Sequence, residues 1–301
     1  MINNDKLNKL YISKDWNDIY KFYKLFNNKK EIITWMKNRK KMIPTIIHFN
    51  EEANNYAIVV IPTINSDGKW AKIDRKIFRN LHIIFAENQN KQPNEYFNYA
   101  KSVNDGIKEA LKLNPKWIII SNDDICKIDK IDRLIEELKQ SEQYDTLFFP
   151  KSNIYSDKTF LAKAQLQRLI RPYSEWGESF SKIYRMFKVH YETLDFRDRY
   201  LLYRLFYKPI LKIPHHQGNF IVLNSKLIRR INSKIFDETF INGLEDTYLS
   251  YKYLSNSKYK LSNFNIRAIT GGSLGTGLDR VFRGITNEIY LENVISVHLK
   301  H

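Results

Sequence analysis

The chain has 301 residues, is 43% hydrophobic and 14% aromatic, and carries 49 Lys and Arg against 33 Asp and Glu, a formal charge of +16. That apolar content excludes a wholly disordered chain, and a single cysteine, Cys126, excludes an internal disulfide and a cysteine-based zinc cage. The opening residues MINNDKLNKL lack the apolar core of a signal peptide, and no apolar run reaches the roughly 20 residues that span a bilayer, so a cytoplasmic location is expected.

The excess of positive charge has two readings. One is a solubilising Lys-rich surface in a chain rich in Ile, Asn, Lys and Tyr. The other is a field that draws anions such as nucleic acid, acidic headgroups or phosphorylated small molecules.

Residues 1–55 read as a helical N-terminal extension. WNDIYKFYKLF (Trp16 to Phe26) and KEIITWMKNRKKM (Lys30 to Met42) place apolar residues at helical spacing. The character then changes. YAIVVIPTIN (Tyr56 to Asn65) is a β-branched run halted by Pro62, and NLHIIFAENQN (Asn80 to Asn90) is a second apolar run with a polar end. NEYFNYAKSVNDGIKEALKLNP (Asn94 to Pro115) has the pattern of an amphipathic helix closed by proline. KWIIISNDDICKID (Lys116 to Asp129) is a third strand, KIDRLIEELKQS (Lys130 to Ser141) a helix and DTLFFP (Asp145 to Pro150) a fourth strand.

This rhythm predicts an α/β fold with a mostly parallel sheet flanked by helices. Ligands bind such sheets beyond the carboxyl ends of the strands. Three strands end there in polar residues: Thr63 and Asn65, Glu87 and Asn88, and Asn122 and Asp124.

Residues 151–213 interrupt the rhythm as an insert, helical in pattern and dense in Arg, Lys, Tyr and Phe. It reads either as an aromatic-cored insert with a solvated basic face or as a surface for an acceptor or an anionic membrane. The sheet then resumes with NFIVLN (Asn219 to Asn224), the short helix SKLIRRI, and a helical run preceded by Gly243, Glu245 and Asp246. KLSNFNIRAIT (Lys260 to Thr270) is a last strand. The glycine-rich GGSLGTG (Gly271 to Gly277) lacks the ending of a phosphate loop and reads as a flexible loop able to close over a nucleotide. Residues 278–301 form a C-terminal helix, which leaves 56–277 as the catalytic domain.

Two acidic motifs could carry chemistry. Alternate side chains of a strand share a face, so Asn122 and Asp124 would point one way and Asp123 the other. Oxygen ligands of that type suit Mg2+ or Mn2+, which take their remaining ligands from water and phosphate. The same residues also suit a strand-end Asx turn. Glu245-Asp246 likewise has two readings. Asp246 could be the N-cap of the following helix, or a carboxylate that accepts a proton from an attacking hydroxyl.

In order, VVIPTIN, NYAKSVNDGIKEAL, WIIISNDDI, GNFIVLN and FDETFINGLEDTYLSYKY resemble the successive motifs of the family 2-type inverting glycosyltransferases with the GT-A fold. The resemblance runs from about Tyr56 to Asn256. It implies that Pro62, Thr63, Asn65, Glu87, Asn104, Asn122 and Asp123 bind the donor nucleotide, with Gly106 on the helix beneath it. It also implies that Asp124 with Asn122 holds Mg2+ or Mn2+, and that Asp246 is the general base with Glu245 beside it.

The resemblance further implies a nucleotide-sugar donor and a glycan, lipid or protein acceptor, while the basic aromatic pattern of the insert offers a peripheral contact with anionic membrane. The chain departs from the pattern at Asn122, where relatives carry Asp, and at Thr270, where many carry a metal-binding histidine. His215 and His216 read as a neutral pair packed before a strand. Two rivals remain. A nucleotidyltransferase would carry a Gly- and Lys-rich loop after the first strand, of which PTINSDGKW is a poor version. A nucleic-acid-binding module would carry a recognition motif, and none is present, so nucleic acid is not an expected partner.

Overall fold

In the computed structural model of the chain, which describes residues 4–89, 97–149, 158–164, 207–214, 216, 218–268 and 278–298, the apolar runs become the middle of one sheet. Strands β2 (Ala57–Thr63), β3 (His82–Glu87) and β4 (Trp117–Ser121) are buried along their whole length. Their β-branched residues fit a pleated surface, and cover on both faces explains why they run apolar without alternation. Strands β1 (Thr45–Phe49), β6 (Thr146–Phe148), β9 (Phe220–Asn224) and β10 (Tyr259–Leu261) complete a seven-stranded sheet of order β1-β3-β2-β4-β9-β6-β10. Only β1 and β9 run against the rest. The result is the expected mixed, mostly parallel, Rossmann-like sheet flanked by helices.

Helices cover both faces of this sheet. The even residues Ile58 and Val60 of β2 pack with Val103 and Ile107 of α5 (Tyr99–Ala110). The odd residues Val59 and Ile61 pack with Ala71 of α4 (Lys69–Ile77) and with the Leu134 side of α6 (Ile131–Lys139). Helix α5 lies close on the sheet: a Cβ at Gly106 would stand 2.5 Å from Val60 Cγ1. Glycine is needed there for packing, which accounts for it without a ligand.

The ladder between β2 and β4 runs only from Ala57↔Trp117 to Val60↔Ile120, whereas β2 stays paired to β3 as far as Thr63↔Glu87. Pro62 has no N–H to offer a neighbour. The sheet therefore parts on the β4 side of β2, where the acidic turn follows.

Several elements differ from the reading of the sequence. Residues 45–49, expected within the helical extension, are the antiparallel edge strand β1, since Ile46 and Ile47 find partners on β3 that periodicity alone does not reveal. The strand expected over 116–129 is two: β4 stops at Ser121, a turn follows, and β5 (Ile125–Ile128) pairs with β11 (Ile266–Ala268) in a separate sheet. The strand expected over 260–270 is also two, β10 and β11. They are broken where Ser262 Oγ accepts from Phe264 N at 3.1 Å and donates to Glu137 at 2.6 Å.

The described ends of the insert are not helical. β7 (Lys158–Ala164) and β8 (Tyr207–Pro214) form a two-stranded sheet. Pro209 and Pro214 disfavour a helix in the second of them. Residues 165–206, the loop 271–277, Thr270 and His215 lie outside the described residues.

The chain divides into two units, one drawn from Met1–Arg39, Phe160–Lys212 and Ser273–His301, the other from Lys40–Thr159 and Ile213–Gly272. In the first, α1 (Asn4–Ile12), α2 (Trp16–Lys24) and α3 (Lys29–Asn38) bury Tyr11, Phe22 and Trp35 as one aromatic cluster, with ring centroids 4.7 to 5.2 Å apart. The last helix in sequence, Leu278–His298, packs on α2 and α3, and Tyr11 Oη donates to the Arg283 carbonyl at 3.1 Å. The N-terminal helices thus find their partner at the other end of the chain.

Candidate functional site

The carboxyl ends of β2, β3 and β4 meet. Asn88 N donates to the Thr63 carbonyl at 2.8 Å, and Thr63 Oγ1 donates to Asp123 Oδ2 at 2.8 Å. Ser66 N, in the loop after β2, donates to Glu87 Oε2 at 2.6 Å, and Gln89 Nε2 donates to Glu87 Oε1 at 2.5 Å. Asn65 turns the same loop, accepting from Asp67 N at 2.9 Å and receiving Gly68 N on its carbonyl at 3.1 Å. Thr63, Asn65, Glu87 and Asp123 are therefore one connected group, and Pro62 lies on the strand that leads into it. A cavity of about 260 Å3 opens beside Glu87, lined by Lys40, Lys41, Met42, Ile43, Thr45 and Gln89. The lysines of this wall were not singled out in the sequence, because they fell in the expected extension.

Asn122, Asp123 and Asp124 sit beyond the last β4 residue. The alternation of strand side chains does not apply to them, and Asp123 turns to Thr63. Burial raises the pKa of Asp123, opposed by the Thr63 hydroxyl. Burial and then the Asp123 charge raise Asp124, opposed by the Asn122 side chain. Asn122 Oδ1 and Asp124 Oδ1 are buried and accept no hydrogen bond among the described residues. Oxygens left bare in this way, next to a second carboxylate, are the kind of donor that Mg2+ or Mn2+ takes. No cluster of three or more His, Cys, Asp or Glu side chains among the described residues could hold a metal by itself.

Asp74 adds to this charge and was missed in the sequence. It is 0% exposed, and neither carboxylate oxygen has a hydrogen-bond partner among the described residues. Burial, then the charges of Asp123 and Asp124, push its pKa from 3.8 up to about 8. The signal was present: Ala71, Asp74 and Phe78 follow helical spacing, so the stripe that buries Ala71 and Phe78 carries a carboxyl inward. The next residue, Arg75, donates to the Ser66 carbonyl at 2.9 Å and to Asp67 at 3.2 Å, tying the loop after β2 to α4.

The second acidic pair opens helix α7 (Glu245–Leu249), which continues as a π-helical turn at Ser250–Leu254. Asp246 is not the N-cap. That place is held by Leu244, at φ 67° and without a side-chain cap bond. A left-handed leucine costs about 1–2 kcal/mol, and such strain gathers at functional segments. Asp246 Oδ2 accepts from Gly218 N at 2.9 Å and Oδ1 from Thr247 N at 2.7 Å, while Glu245 is 7% exposed.

Tyr99 relates the two pairs. Its hydroxyl donates to the Gly218 carbonyl. Burial and then the charges of Glu245, Asp246, Asp124 and Asp123 drive its pKa well above 10. The two carboxylate pairs, more than a hundred residues apart in sequence, both raise the pKa of this one phenol. Asn122 N also donates to the Asn219 carbonyl at 2.8 Å, so residues 218–219 bond to both motifs.

Asn104 stands apart from this group. Its amide donates to the Phe236 carbonyl at 2.9 Å and to Glu238 at 3.2 Å, and its carbonyl accepts from Phe236 N at 3.2 Å. It clamps α5 to residues 236–238. His216, buried with its amide on Ser250 Oγ at 3.1 Å and its ring edge-on to Phe148, has the structural role expected of it.

No protein-family model matches the sequence, and a comparison with curated proteins gives no match. Solved structures that are similar include A197 from STIV, at 11% identity over 71% of this chain and 85% of that one, with a TM-score of 0.40. They also include residues 1–349 of TarS from S. aureus, at 12% identity over 69% of this chain and 59% of that one, with a TM-score of 0.36. Likenesses this distant carry no argument about chemistry. The class of the molecule rests on its own sheet, whose polar strand ends and two acidic motifs share one neighbourhood. No helix among the described residues is long and apolar enough to cross a membrane.

Proposed function

We propose that the chain is an inverting glycosyltransferase that moves a sugar from a nucleoside diphosphate to the hydroxyl of a glycan, lipid or protein. One observation carries the reading: residues 218–219 bond to both acidic motifs, Gly218 N donating to Asp246 and the Asn219 carbonyl accepting from Asn122 N. In this reading one pair serves the donor and the other serves the acceptor.

The donor side would use Pro62, Thr63, Asn65, Glu87 and Asp123, with Lys40 and Lys41 offering positive charge beside Glu87. Asp124 and Asn122 would hold a divalent cation through their bare oxygens, and when bound it supplies Lewis-acid stabilisation of the departing diphosphate. On the acceptor side, Asp246 takes the hydroxyl proton as the oxygen attacks the anomeric carbon from the face opposite the diphosphate. A C–O bond to the acceptor forms, the C–O bond to the phosphate breaks, and the configuration inverts. Glu245 lies buried beside it at the start of the same helix. Asn104 serves here as a structural clamp.

A thermal-shift screen of nucleoside diphosphates and nucleotide sugars, with and without Mn2+, tests the donor half, because a ligand selective for the folded state raises its stability. A Mn2+-dependent rise in melting temperature is expected, lost in Asp124→Ala. With a donor identified, Asp246→Asn is expected to keep donor affinity and lower transfer by roughly 100- to 10,000-fold. Indifference to every nucleotide, or a fully active Asp246→Asn, sinks the reading.

A further inference from the structure

Residue 218 is held on both sides. Its N–H donates to Asp246 Oδ2 at 2.9 Å, and its carbonyl accepts the Tyr99 hydroxyl. The next carbonyl, of Asn219, accepts Asn122 N at 2.8 Å, and two residues earlier His216 N donates to Ser250 Oγ at 3.1 Å. Tyr99 is itself fixed. Its N–H donates to Asn242 Oδ1 at 2.8 Å, and its ring lies 5.6 Å from that of Phe236. A Cβ at residue 218 would only touch Asp246, 3.5 Å from Oδ2, so steric exclusion does not explain this arrangement. The bonds do.

Glycine has the widest choice of backbone angles, so the course of the chain at Gly218 is set by the bonds made to it. Tyr99, on the Gly218 carbonyl, and Asn122, on the Asn219 carbonyl, supply two of them. We propose that Tyr99 is a positioning residue for Asp246. By anchoring the Gly218 carbonyl, it keeps the Gly218 N–H on the Asp246 carboxylate, fixing the orientation of that group and favouring its ionised form. The importance of this for transfer rests on the reading of Asp246 as the base; the coupling itself does not.

The test is a carbon-13 carboxyl titration of Asp246 in the full chain, wild type against Tyr99→Phe, which keeps the ring and removes the hydroxyl. The Asp246 midpoint is expected to rise by about half to one pH unit as its N–H donor loosens. Exchange of the Gly218 amide should quicken by roughly tenfold, as expected for a local opening. Tyr56→Phe, which deletes a hydroxyl bonded to Glu142 instead, should change neither. A folded Tyr99→Phe with unchanged midpoint and exchange overturns the proposal.

If Tyr99→Phe does not fold, the wild type decides. The Gly218 carbonyl shift should follow the titration of Asp246, and a carbonyl indifferent to it overturns the proposal equally. None of these readouts needs a donor or an acceptor. A fully active Asp246→Asn would end the glycosyltransferase reading and leave the coupling standing. An inactive Asp246→Asn beside an unresponsive Tyr99→Phe would end only the coupling. With a working assay, Tyr99→Phe should lower kcat at unchanged donor KM and move the acidic limb of the pH profile with the Asp246 midpoint.

Discussion

Helices α4 and α5 occupy equivalent places, each following a buried parallel strand and covering one face of the same sheet. They treat their inward polar groups in opposite ways. On α5 the buried amides are satisfied: Asn98 caps the helix through Lys101 N at 2.7 Å and donates to the Glu238 carbonyl at 3.1 Å, and Asn104 makes three bonds to residues 236–238. On α4 the inward carboxyl of Asp74 has no hydrogen-bond partner among the described residues and feels the charges of two further acids. A satisfied buried polar group stabilises and specifies a fold, whereas an unsatisfied one costs about 1–3 kcal/mol. The contrast separates the inward amides of α5, which tie the helix to residues 236–238, from the inward carboxyl of α4, which is buried at a cost.

The contrast can be broken most forcefully through pH. A carboxyl raised from 3.8 to about 8 binds its proton more tightly in the folded chain than in the unfolded one. Its contribution is complete below about pH 4 and is lost as pH rises towards 8, at up to about 1.4 kcal/mol per pH unit. Asp123 and Asp124 shift in the same direction. Urea unfolding should therefore show stability falling between pH 5 and pH 8 in the wild type, and falling less steeply in Asp74→Asn. Parallel curves would place Asp74 in water and erase the difference between the helices.

On the other face, Asn104→Ala should cost about 3 kcal/mol with no comparable pH dependence, since it strands a carbonyl and an amide of Phe236. A loss below about 1 kcal/mol would mean that the clamp is not structural. The smallest effect expected is that of Gly106→Ala. Its new methyl meets Val60 at 2.5 Å, and overpacking of that kind costs about 1–3 kcal/mol. A neutral result, measured by the same unfolding, would show that α5 can slide on the sheet.

Much of the sheet was legible because burial on both faces leaves a local trace. Ala57 to Ile61 and Trp117 to Ile120 read as strands from composition alone. The polar residues that end them were legible for the same reason, since an apolar run that stops abruptly marks a strand leaving the core. Other parts were not. Thr45 to Phe49 carries no strong period, and its pairing comes from β3, more than thirty residues on. Asp123 was assigned to the far side of a strand that had already ended. Asp74 was on the page as the middle member of an Ala-Asp-Phe stripe, but the helix that buries it stands in a polar stretch that no apolar run announces.

The chain by itself determined which segments must be buried and where carboxylates and amides interrupt them, because side-chain period and turn chemistry are properties of neighbouring residues. The tertiary structure decided that residues 218–219 bond to both Asn122 and Asp246, that Gly218 bonds to Asp246 on one side and Tyr99 on the other, and that Asn104 is a clamp. Those relations join residues far apart in sequence, and they exist only once two helices and a crossing strand have packed against the same sheet.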